Sequence, residues 1–225
     1  MLLKINNKII IKNNKLIKNI LINGFYCKIK RCGNMNKDYI INNYKFEKLS
    51  EKHDLSRFDC GNNDLNDFIK NDALNQQEDN LSATKVVICD GEIIGFFSLL
   101  SDSIELKKIR DEKTKKSIKI HLPRVKKAPA IKIGRFAIDK KYSNKGIGSN
   151  IMEHILLNIL ELTADVGMRF VLIEAYAKAY NFYVKNNKFL NLKKDDMKLE
   201  KLDKIIERNP QHTFYLYHDI KKLKV

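Results

Sequence analysis

Residues 130–160 read AIKIGRFAIDKKYSNKGIGSNIMEHILLNIL, and three kinds of segment follow one another in them. Residues 130–138 are mostly apolar and rich in β-branched isoleucine, which indicates a buried strand. Residues 139–148 form a polar turn with glycines at positions 146 and 148, which we call the glycine turn. Residues 151–160 place apolar side chains at the spacing of one helical face. This order predicts that the N-terminus of a helix lies beside the end of a strand.

A helix N-terminus in this position favours phosphate binding, because its free N–H groups and the positive end of the helix dipole attract anions. Glycine lets the backbone approach a pyrophosphate closely, and Lys145 adds a cation beside the turn. The spacing matches neither the P-loop nor GxGxxG, since Ile151 stands where the latter has its third glycine. The prediction of a phosphate site therefore rests on the strand and helix that flank the turn.

The rest of the chain from Tyr44 onward has the pattern of a mixed α/β domain. Residues 44–49 alternate like a half-buried strand, and Asn62 or Asn63 fits the N-cap of a helix that continues to Leu74. Two β-rich runs flank Asp90-Gly91, which predicts a hairpin. After the helix that follows the turn, which we expect to end at Gly167, the pattern predicts a strand over 170–173, a helix over 175–185 and a closing strand over 213–217.

Composition limits the class of protein. The chain has 225 residues, of which 44% are hydrophobic and 31% charged, which suits one globular domain with an added segment. No apolar run reaches the ~20 residues of a membrane helix, and the N-terminus lacks the arrangement of a signal peptide. The four cysteines have neither CxxC spacing nor a neighbouring histidine, so we expect reduced thiols in a cytoplasmic protein and no metal site.

Two segments carry most of the net charge of +16. Residues 1–34 hold eight lysines and arginines and no acid, and we interpret them as an extension to a domain over 35–225. Two interpretations of it stay open, translation of an A/T-rich upstream stretch and a basic arm that binds an anionic surface. Residues 105–127, the basic insert, hold ten basic and three acidic side chains, a net charge of +7.

Two motifs carry a resemblance to a known family. Residues 133–139 and 142–149 are similar to motif A of the GNAT acetyltransferase superfamily, and residues 179–185, AYNFYVK, are similar to its AxxFYxK motif B. Phe58-Asp59-Cys60-Gly61, followed by Leu65 and Phe68, resembles the opening of the TacT-like toxin acetyltransferases. The resemblance covers roughly residues 44–218.

The resemblance implies an α/β fold with a splayed, mostly antiparallel mixed sheet flanked by helices, and acetyl-CoA as the co-substrate. It implies Tyr183 as the catalytic proton donor. The residues that it implies for cofactor binding are Phe136, Ala137, Ile138, Ser143, Asn144, Lys145, Gly146, Ile147, Gly148, Ser149, Asn181 and Phe182. It also implies aminoacyl-tRNA as acceptor, a small ribbon-helix-helix antitoxin as partner, and a homodimer as one possible assembly.

This sequence departs from the family pattern at two places. Ser143 stands where the family has a Gln or Arg. This removes one long polar side chain from the cradle, by which we mean the residues of the glycine turn that would hold the pyrophosphate. Asn187-Lys188 replaces the Gly-Phe that follows motif B. Because asparagine tolerates a positive φ better than most residues, we expect Asn187 to make the turn that glycine makes elsewhere.

The chemistry of thioester aminolysis supports the role of Tyr183 independently. Attack by an amine expels a thiolate, and a tyrosine with a pKa of about 10 is protonated at neutral pH and can donate to that sulfur. The general base is less determined. Glu174, at the end of its strand, is the nearest candidate for the base, and a structural role is at least an equal interpretation of it. Arg135 is a candidate for contact with the acceptor or a phosphate, and a salt bridge at the strand edge is an equal interpretation.

The basic insert predicts a polyanionic acceptor, first among them tRNA. A solvated lysine-rich loop is the simpler interpretation of the same residues. Two other functions stay open, a protein or small-amine acetyltransferase with the same cradle, and a non-catalytic RNA-binding protein with the same fold.

Overall fold

Strands build one open sheet in the computed structural model, which describes residues 36–121, 123–192 and 199–223. Within these residues the strand order is β1-β2-β3-β4-β5-β7-β6. Only β4 and β5 are parallel, and every other neighbouring pair is antiparallel. The strands are β1 Lys45–Lys48, β2 Ala83–Cys89, β3 Glu92–Glu105, β4 Lys127–Ile138, β5 Phe170–Tyr176, β6 Leu190–Asn191 and β7 Thr213–Asp219. The predicted fold class is confirmed.

Helices flank the sheet on both faces. They are α1 Lys37–Asn43, α2 Asn63–Asp67, α3 Ala73–Glu78, α4 Glu112–His121, α5 Ile147–Leu162 and α6 Leu199–Arg208. A π-helical turn, Phe68–Asp72, joins α2 to α3, and the predicted N-cap Asn62 accepts a hydrogen bond from the Leu65 N–H at 3.2 Å. No helix among the described residues has the length and apolar character needed to cross a bilayer.

Side-chain alternation along β3 separates the two faces of the sheet. Phe96 packs with Phe68 and Ile69, so the even-numbered residues of β3 lie on what we call the α2–α3 face. Phe97 points the other way and lines, with Ile155 of α5, a cavity of about 230 Å³, so this side is the α5 face. The core is therefore two apolar layers, one on each face of the sheet.

The turn between β2 and β3 has the predicted hairpin chemistry. Asp90 and Gly91 both have positive φ, 49° and 79°. Two successive residues with positive φ give a turn of the I′ kind, whose twist matches that of the strands. The hairpin prediction is confirmed.

Two helix predictions are wrong. The helix after the glycine turn ends at Leu162 with Thr163 as its C-cap, and Gly167 lies exposed beyond it without a positive φ. The residues over 175–185 are not one helix: β5 continues to Tyr176, and a short 3₁₀ turn and the π-helical turn Phe182–Asn186 follow. The strand is longer because Tyr176 still pairs with β7, so the ladder overrides local helix preference.

The expected positive φ at Asn187 is also wrong. Asn187 has φ −115°, and the left-handed residue is Lys188 with φ 58°. The Asn187 side chain instead donates to the Phe182 carbonyl at 2.7 Å, which closes the π-helical turn. The turn is thus made one residue later than expected.

The basic insert contains α4, which the sequence analysis did not predict. Its anchors are apolar, since Leu106 and Ile109 pack with Ala128 and Ala130 near the start of β4. Thr114 of α4 also donates to the buried carboxylate of Asp219 at 3.2 Å. The insert therefore covers the α2–α3 face at the Lys127 end of β4, whereas the glycine turn follows the other end.

Candidate active site

The parallel strands β4 and β5 separate partway along their length. They pair only over Ala130–Ile133 and Phe170–Ile173. Beyond this point β4 stays paired with β3 to Ile138, and β5 stays paired with β7 to Tyr176. Within the described residues, the edge of β4 over 134–138 therefore has no strand partner on its β5 side, and its peptide groups are available to a ligand.

A β-bulge at Gly134 marks where the strands separate. Ser98 pairs with Arg135 and Leu99 with Ile133, which leaves Gly134 as the extra residue of β4. A β-carbon at position 134 would lie 2.6 Å from Cδ2 of Leu100, so only glycine fits without displacing that side chain. The bulge bends β4 away from β5 and opens the cleft.

In the structure, residues 139–146 of the glycine turn precede α5, which begins at Ile147. The segment that resembles the toxin branch, which begins at Phe58, holds this turn in place. Asp139 is buried, and its carboxylate accepts hydrogen bonds from the N–H of Asp59 at 3.1 Å and of Lys141 at 2.9 Å. Asp59 in turn pairs with the Lys140 ammonium. That ammonium, together with hydrogen bonds from Gly61 and Asn66, holds the pKa of Asp59 well below its usual range. These contacts fix the turn relative to the sheet.

The N-terminus of α5 lies open at the end of this turn. Asn144 and Gly146 have positive φ, 59° and 77°, and Gly146 is an N-cap without a side-chain hydrogen bond. The first N–H groups of α5, from Ile147, Gly148 and Ser149, therefore have no capping side chain and point out of the helix. With the dipole of a 16-residue helix behind them, they suit a phosphate group.

Two predicted cradle side chains turn inward. Ser143 Oγ donates to the Lys140 carbonyl at 3.0 Å, and Lys145 Nζ donates to the Lys141 carbonyl at 2.8 Å. Both bonds stabilise the turn itself. The structure thus brings residues 143–149 together as predicted, and what they offer to a ligand is mainly backbone N–H groups.

Motif B lies beside the cleft and contacts β4. The Phe182 ring stacks on Phe136 with centroids 5.8 Å apart, and its edge approaches Gly148 of α5. Asn181 precedes it and is half-buried. Phe182 thereby links the free edge of β4, the start of α5 and the next residue, Tyr183.

Tyr183 is buried, and none of the described residues hydrogen-bonds its hydroxyl group. Its side chain is held by ring contacts, 5.0 Å from Phe182 and 5.7 Å from Phe189 between centroids. Burial raises the pKa of Tyr183 well above its ordinary value, so the phenol stays protonated. The hydroxyl is therefore a protonated donor, and no described residue competes with a ligand for its proton.

Arg135 and Glu174 lie on the α2–α3 face. The Arg135 guanidinium lies 5.1 Å from the centre of the Phe68 ring, and Glu174 pairs with Lys132 at 3.1 Å. Burial tends to raise the pKa of Glu174, but Lys132 and the hydroxyl of Thr213 outweigh it and hold this pKa below its ordinary value. The sequence gives no signal for the role of Lys132, because one lysine inside an apolar strand has no distinctive pattern.

Most of the charge of the basic insert is unpaired. Its three acids pair with lysines: Glu105 with Lys107 and Lys108, Glu112 with Lys115, and Asp111 with Lys222. Six cations have no acidic partner among the described residues: Lys113, Lys116, Lys119, Arg124, Lys126 and Lys127. They give the insert, which follows β3 and ends at the start of β4, a strong excess of positive charge.

No group of three or more metal-ligating side chains occurs in the described part of the chain. Cys60 and Cys89, the cysteines in that part, form no disulfide, whereas Cys27 and Cys32 lie outside it together with the predicted extension over 1–34.

Comparison with known proteins identifies relatives of one kind. No family model matches the chain. A curated protein of Mycobacterium tuberculosis (strain ATCC 25618 / H37Rv), a tRNA-acetylating toxin, is 25% identical over 138 residues, which span 61% of this chain and 79% of the toxin.

Two solved structures have the same fold. AtaT complexed with acetyl-methionyl-tRNAfMet gives a TM-score of 0.63 at 22% identity, over 80% of this chain and 96% of AtaT. A tyrosine-to-phenylalanine variant of AtaT, bound to the C-terminus of the antitoxin AtaR and to acetyl-CoA, gives 0.56 at 21% identity, over 80% and 94%. The splayed sheet, the glycine turn and these matches together confirm the resemblance predicted from the two motifs: the chain has the GNAT fold of the toxin acetyltransferases.

Proposed function

We propose that the protein transfers an acetyl group from acetyl-CoA to the α-amine of an aminoacyl-tRNA. The observation that carries the proposal is the cleft between β4 and β5. It has an uncapped helix N-terminus at one end and, along one side, a buried phenol with no hydrogen-bond partner among the described residues. A ligand with a diphosphate, a peptide-like arm and a thioester matches the helix N-terminus, the free edge of β4 and the phenol, respectively.

Acetyl-CoA fits the residues present. Its pyrophosphate would be held by the backbone N–H groups over residues 144–149, and the amides of its pantetheine arm by the free edge of β4 over Phe136–Ile138. Phe182 closes this side of the cleft by stacking on Phe136. The AtaT variant with acetyl-CoA bound shares the fold, which supports this choice of co-substrate.

Tyr183 is the proton donor of the proposed reaction. The amine nitrogen attacks the thioester carbonyl, a C–N bond forms, the C–S bond breaks, and the sulfur takes the phenolic proton as it leaves. The tyrosinate then takes a proton from solvent, which balances the proton that the amine loses. Burial disfavours the tyrosinate, but the same dry surroundings disfavour the free thiolate. A hydrogen bond from the phenol to the sulfur therefore strengthens as charge develops.

The attacking amine needs little help from a base. An α-amino group has a pKa of about 7.7–8, so a substantial fraction is neutral at physiological pH. Glu174 is held as an ion-paired carboxylate with a lowered pKa, which makes it a poor proton acceptor. We assign Glu174 and Arg135 to positioning of the acceptor on the α2–α3 face, and the proton of the amine leaves to solvent.

The choice of tRNA rests on charge and on relatives. The basic insert packs on the α2–α3 face, opposite α5, and carries six cations that have no acidic partner among the described residues. A phosphate backbone bound there would direct an aminoacylated end toward Arg135 and Glu174 on the same face. The M. tuberculosis relative acetylates tRNA and AtaT has been solved with acetyl-methionyl-tRNAfMet, which supports the same acceptor class.

A regulatory partner belongs to the same proposal. The AtaT variant is bound to the C-terminus of an antitoxin, AtaR, and on this basis we propose a small antitoxin of the ribbon-helix-helix kind as partner. Co-expression of the chain with the product of a small neighbouring reading frame, followed by purification through one tag, tests it. Recovery of the chain alone, with its toxicity unrelieved, contradicts it.

Incubation of the purified protein with labelled acetyl-CoA tests the activity. The acceptors are charged tRNA, the same tRNA after mild alkaline deacylation, a lysine peptide and a polyamine. We expect CoA release and label transfer with charged tRNA only. Label on the peptide or the polyamine would favour a protein or small-amine acetyltransferase, and tRNA binding without CoA release would favour a non-catalytic RNA-binding protein.

A further inference from the structure

We propose that Lys37, at the start of α1, is a ligand of the acetyl-CoA pyrophosphate and supplies the cation that Ser143 does not. The inference rests on the proposed function, since it concerns the same cofactor cleft. It assigns a binding role to a helix that lies before β1 and outside both motifs.

The position of Lys37 follows from its contact with the glycine turn. A β-carbon built on Gly146 would lie 3.2 Å from Nζ and 3.4 Å from Cε of Lys37. The ammonium group therefore lies beside the N-cap of α5, on the side where a side chain at position 146 would point. A phosphate held by the first N–H groups of α5 would lie within reach of this cation.

The other lysines near the turn are committed to protein partners. Lys140 pairs with Asp59, Lys141 pairs with Glu92 at 3.0 Å, and Lys145 donates to the Lys141 carbonyl. Among the residues that the structure describes, none pairs with or hydrogen-bonds the Lys37 ammonium. Of the four lysines at the turn, Lys37 is thus the one whose ammonium has neither an acidic partner nor a hydrogen bond among the described residues.

The location of Lys37 does not serve its own helix. A cation in the first turn opposes the helix dipole, whereas an acid there favours it. Asp38, the next residue, fills the favourable role in α1. The lysine therefore has no evident benefit for α1, and its benefit is to an anion at the glycine turn.

Packing on two sides holds α1 in place. Ile40 is fully buried, and the Tyr39 hydroxyl donates to Asp90 in the β2–β3 turn at 2.8 Å. Directly after α1, the hydroxyl of Tyr44 contacts Asn150 Oδ1 on α5 at 3.0 Å. These contacts connect α1 to the hairpin and to α5, so the Lys37 backbone is positioned before any ligand binds.

Calorimetric titration of Lys37→Gln with three ligands tests the assignment. The ligands are acetyl-CoA, dephospho-CoA, which keeps the pyrophosphate but lacks the 3′-phosphate, and pantetheine, which has no phosphate. Because a hydrogen bond to a charged group contributes modestly at an exposed position, we expect about tenfold weaker binding of the first two ligands and unchanged binding of pantetheine. Lys37→Arg retains most of the affinity, and the exposed Lys48→Gln is the matched control.

Each outcome decides a different point. Equal affinity of wild type and Lys37→Gln for acetyl-CoA overturns the inference, as does a loss that extends to pantetheine, which would mean that α1 acts through the shape of the cleft. A loss with acetyl-CoA alone would place Lys37 on the 3′-phosphate instead. Wild-type protein that binds no acetyl-CoA would contradict the proposed function itself, which separates the two failures.

Discussion

Replacement of Tyr183 by phenylalanine removes one oxygen from a ring that is only 7% exposed. The ring keeps its edge contacts with Phe182 and Phe189. Because no described residue hydrogen-bonds the hydroxyl, the change leaves no protein group unsatisfied and opens little space. We expect the free energy of unfolding to change by less than about 1 kcal/mol.

The expected effect on catalysis is far larger. A positioned general acid contributes about 10²- to 10⁴-fold to the rate, which corresponds to roughly 2.7–5.4 kcal/mol of transition-state stabilisation. The Tyr183 hydroxyl is needed where negative charge develops on sulfur, so the loss falls on the chemical step. Affinity for acetyl-CoA changes little, since the backbone contacts at the glycine turn and β4 are untouched.

Single-turnover transfer to charged tRNA measures the rate of this step, and calorimetry and thermal unfolding measure binding and stability. Tyr180→Phe is the matched control, because Tyr180 is buried to the same extent and contacts Phe214 at 4.8 Å. We expect it to retain activity. Full activity of Tyr183→Phe would refute the proton-donor role, and a large loss of stability would refute the reasoning about its unpartnered hydroxyl.

Three further outcomes follow from charge and burial. The rate of transfer should rise with pH as the α-amine deprotonates near pH 8. It should not fall between pH 8 and 9.5, because burial keeps the catalytic phenol protonated, and a fall of the rate in this range would contradict the assignment. The catalytic efficiency with charged tRNA should fall steeply as the salt concentration rises. The double variant Lys116→Gln, Lys119→Gln should reduce the slope of log(kcat/KM) against log[salt] by up to about 2. The control Lys48→Gln, Lys52→Gln, at exposed sites outside the basic insert, should leave this slope unchanged. Burial lowers the pKa of His218 below 6.5, so the unfolded chain binds a proton that the folded chain does not, and the free energy of unfolding falls as pH drops below about 6.5. In urea unfolding between pH 7.5 and 5, His218→Phe should reduce the dependence of this free energy on pH. An unchanged dependence would exclude the effect.

The central architecture could be predicted because local signals there agree with tertiary structure. The apolar run, the turn with two glycines and the amphipathic helix over residues 130–160 each indicate one element, and the structure contains each of them. Asp90-Gly91 likewise has the residue types that its two positive φ angles require. Where local preference and tertiary context coincide, the sequence is enough.

The errors arise where tertiary contacts override local preference. Tyr176 has no feature that excludes a helix, and only its pairing with Thr213 of β7, 37 residues later, keeps it in a strand. Gly167 looks like a helix end, but α5 had already ended at Leu162. In α4 the burial of Thr114 depends on Asp219, more than 100 residues away. Such long-range contacts leave no periodic pattern in the sequence.

The state of a charged side chain is equally hidden in the sequence. Lys140, Lys141 and Lys145 all flank the glycine turn, and motif reasoning gave Lys145 to the cofactor. In the structure each of them has a protein partner, whereas Lys37, more than 100 positions earlier, lies at the same place with no partner among the described residues. Which lysine is available to a ligand depends on which acids and carbonyl groups fold beside it.

The sheet separates the sites that we propose for two polyanions, the tRNA and the cofactor. β4 runs from the basic insert at Lys127 to the glycine turn after Ile138, and 12 residues at ~3.3 Å each span roughly 36–40 Å. That separation is several times the Debye length of about 8 Å at physiological ionic strength, so cations at one end scarcely affect an anion at the other. The insert also lies on the α2–α3 face, while α5 covers the opposite face. The gap between β4 and β5 then connects the two faces, and an amine arriving from the acceptor side can meet a thioester bound from the α5 side without bringing the two phosphate chains together.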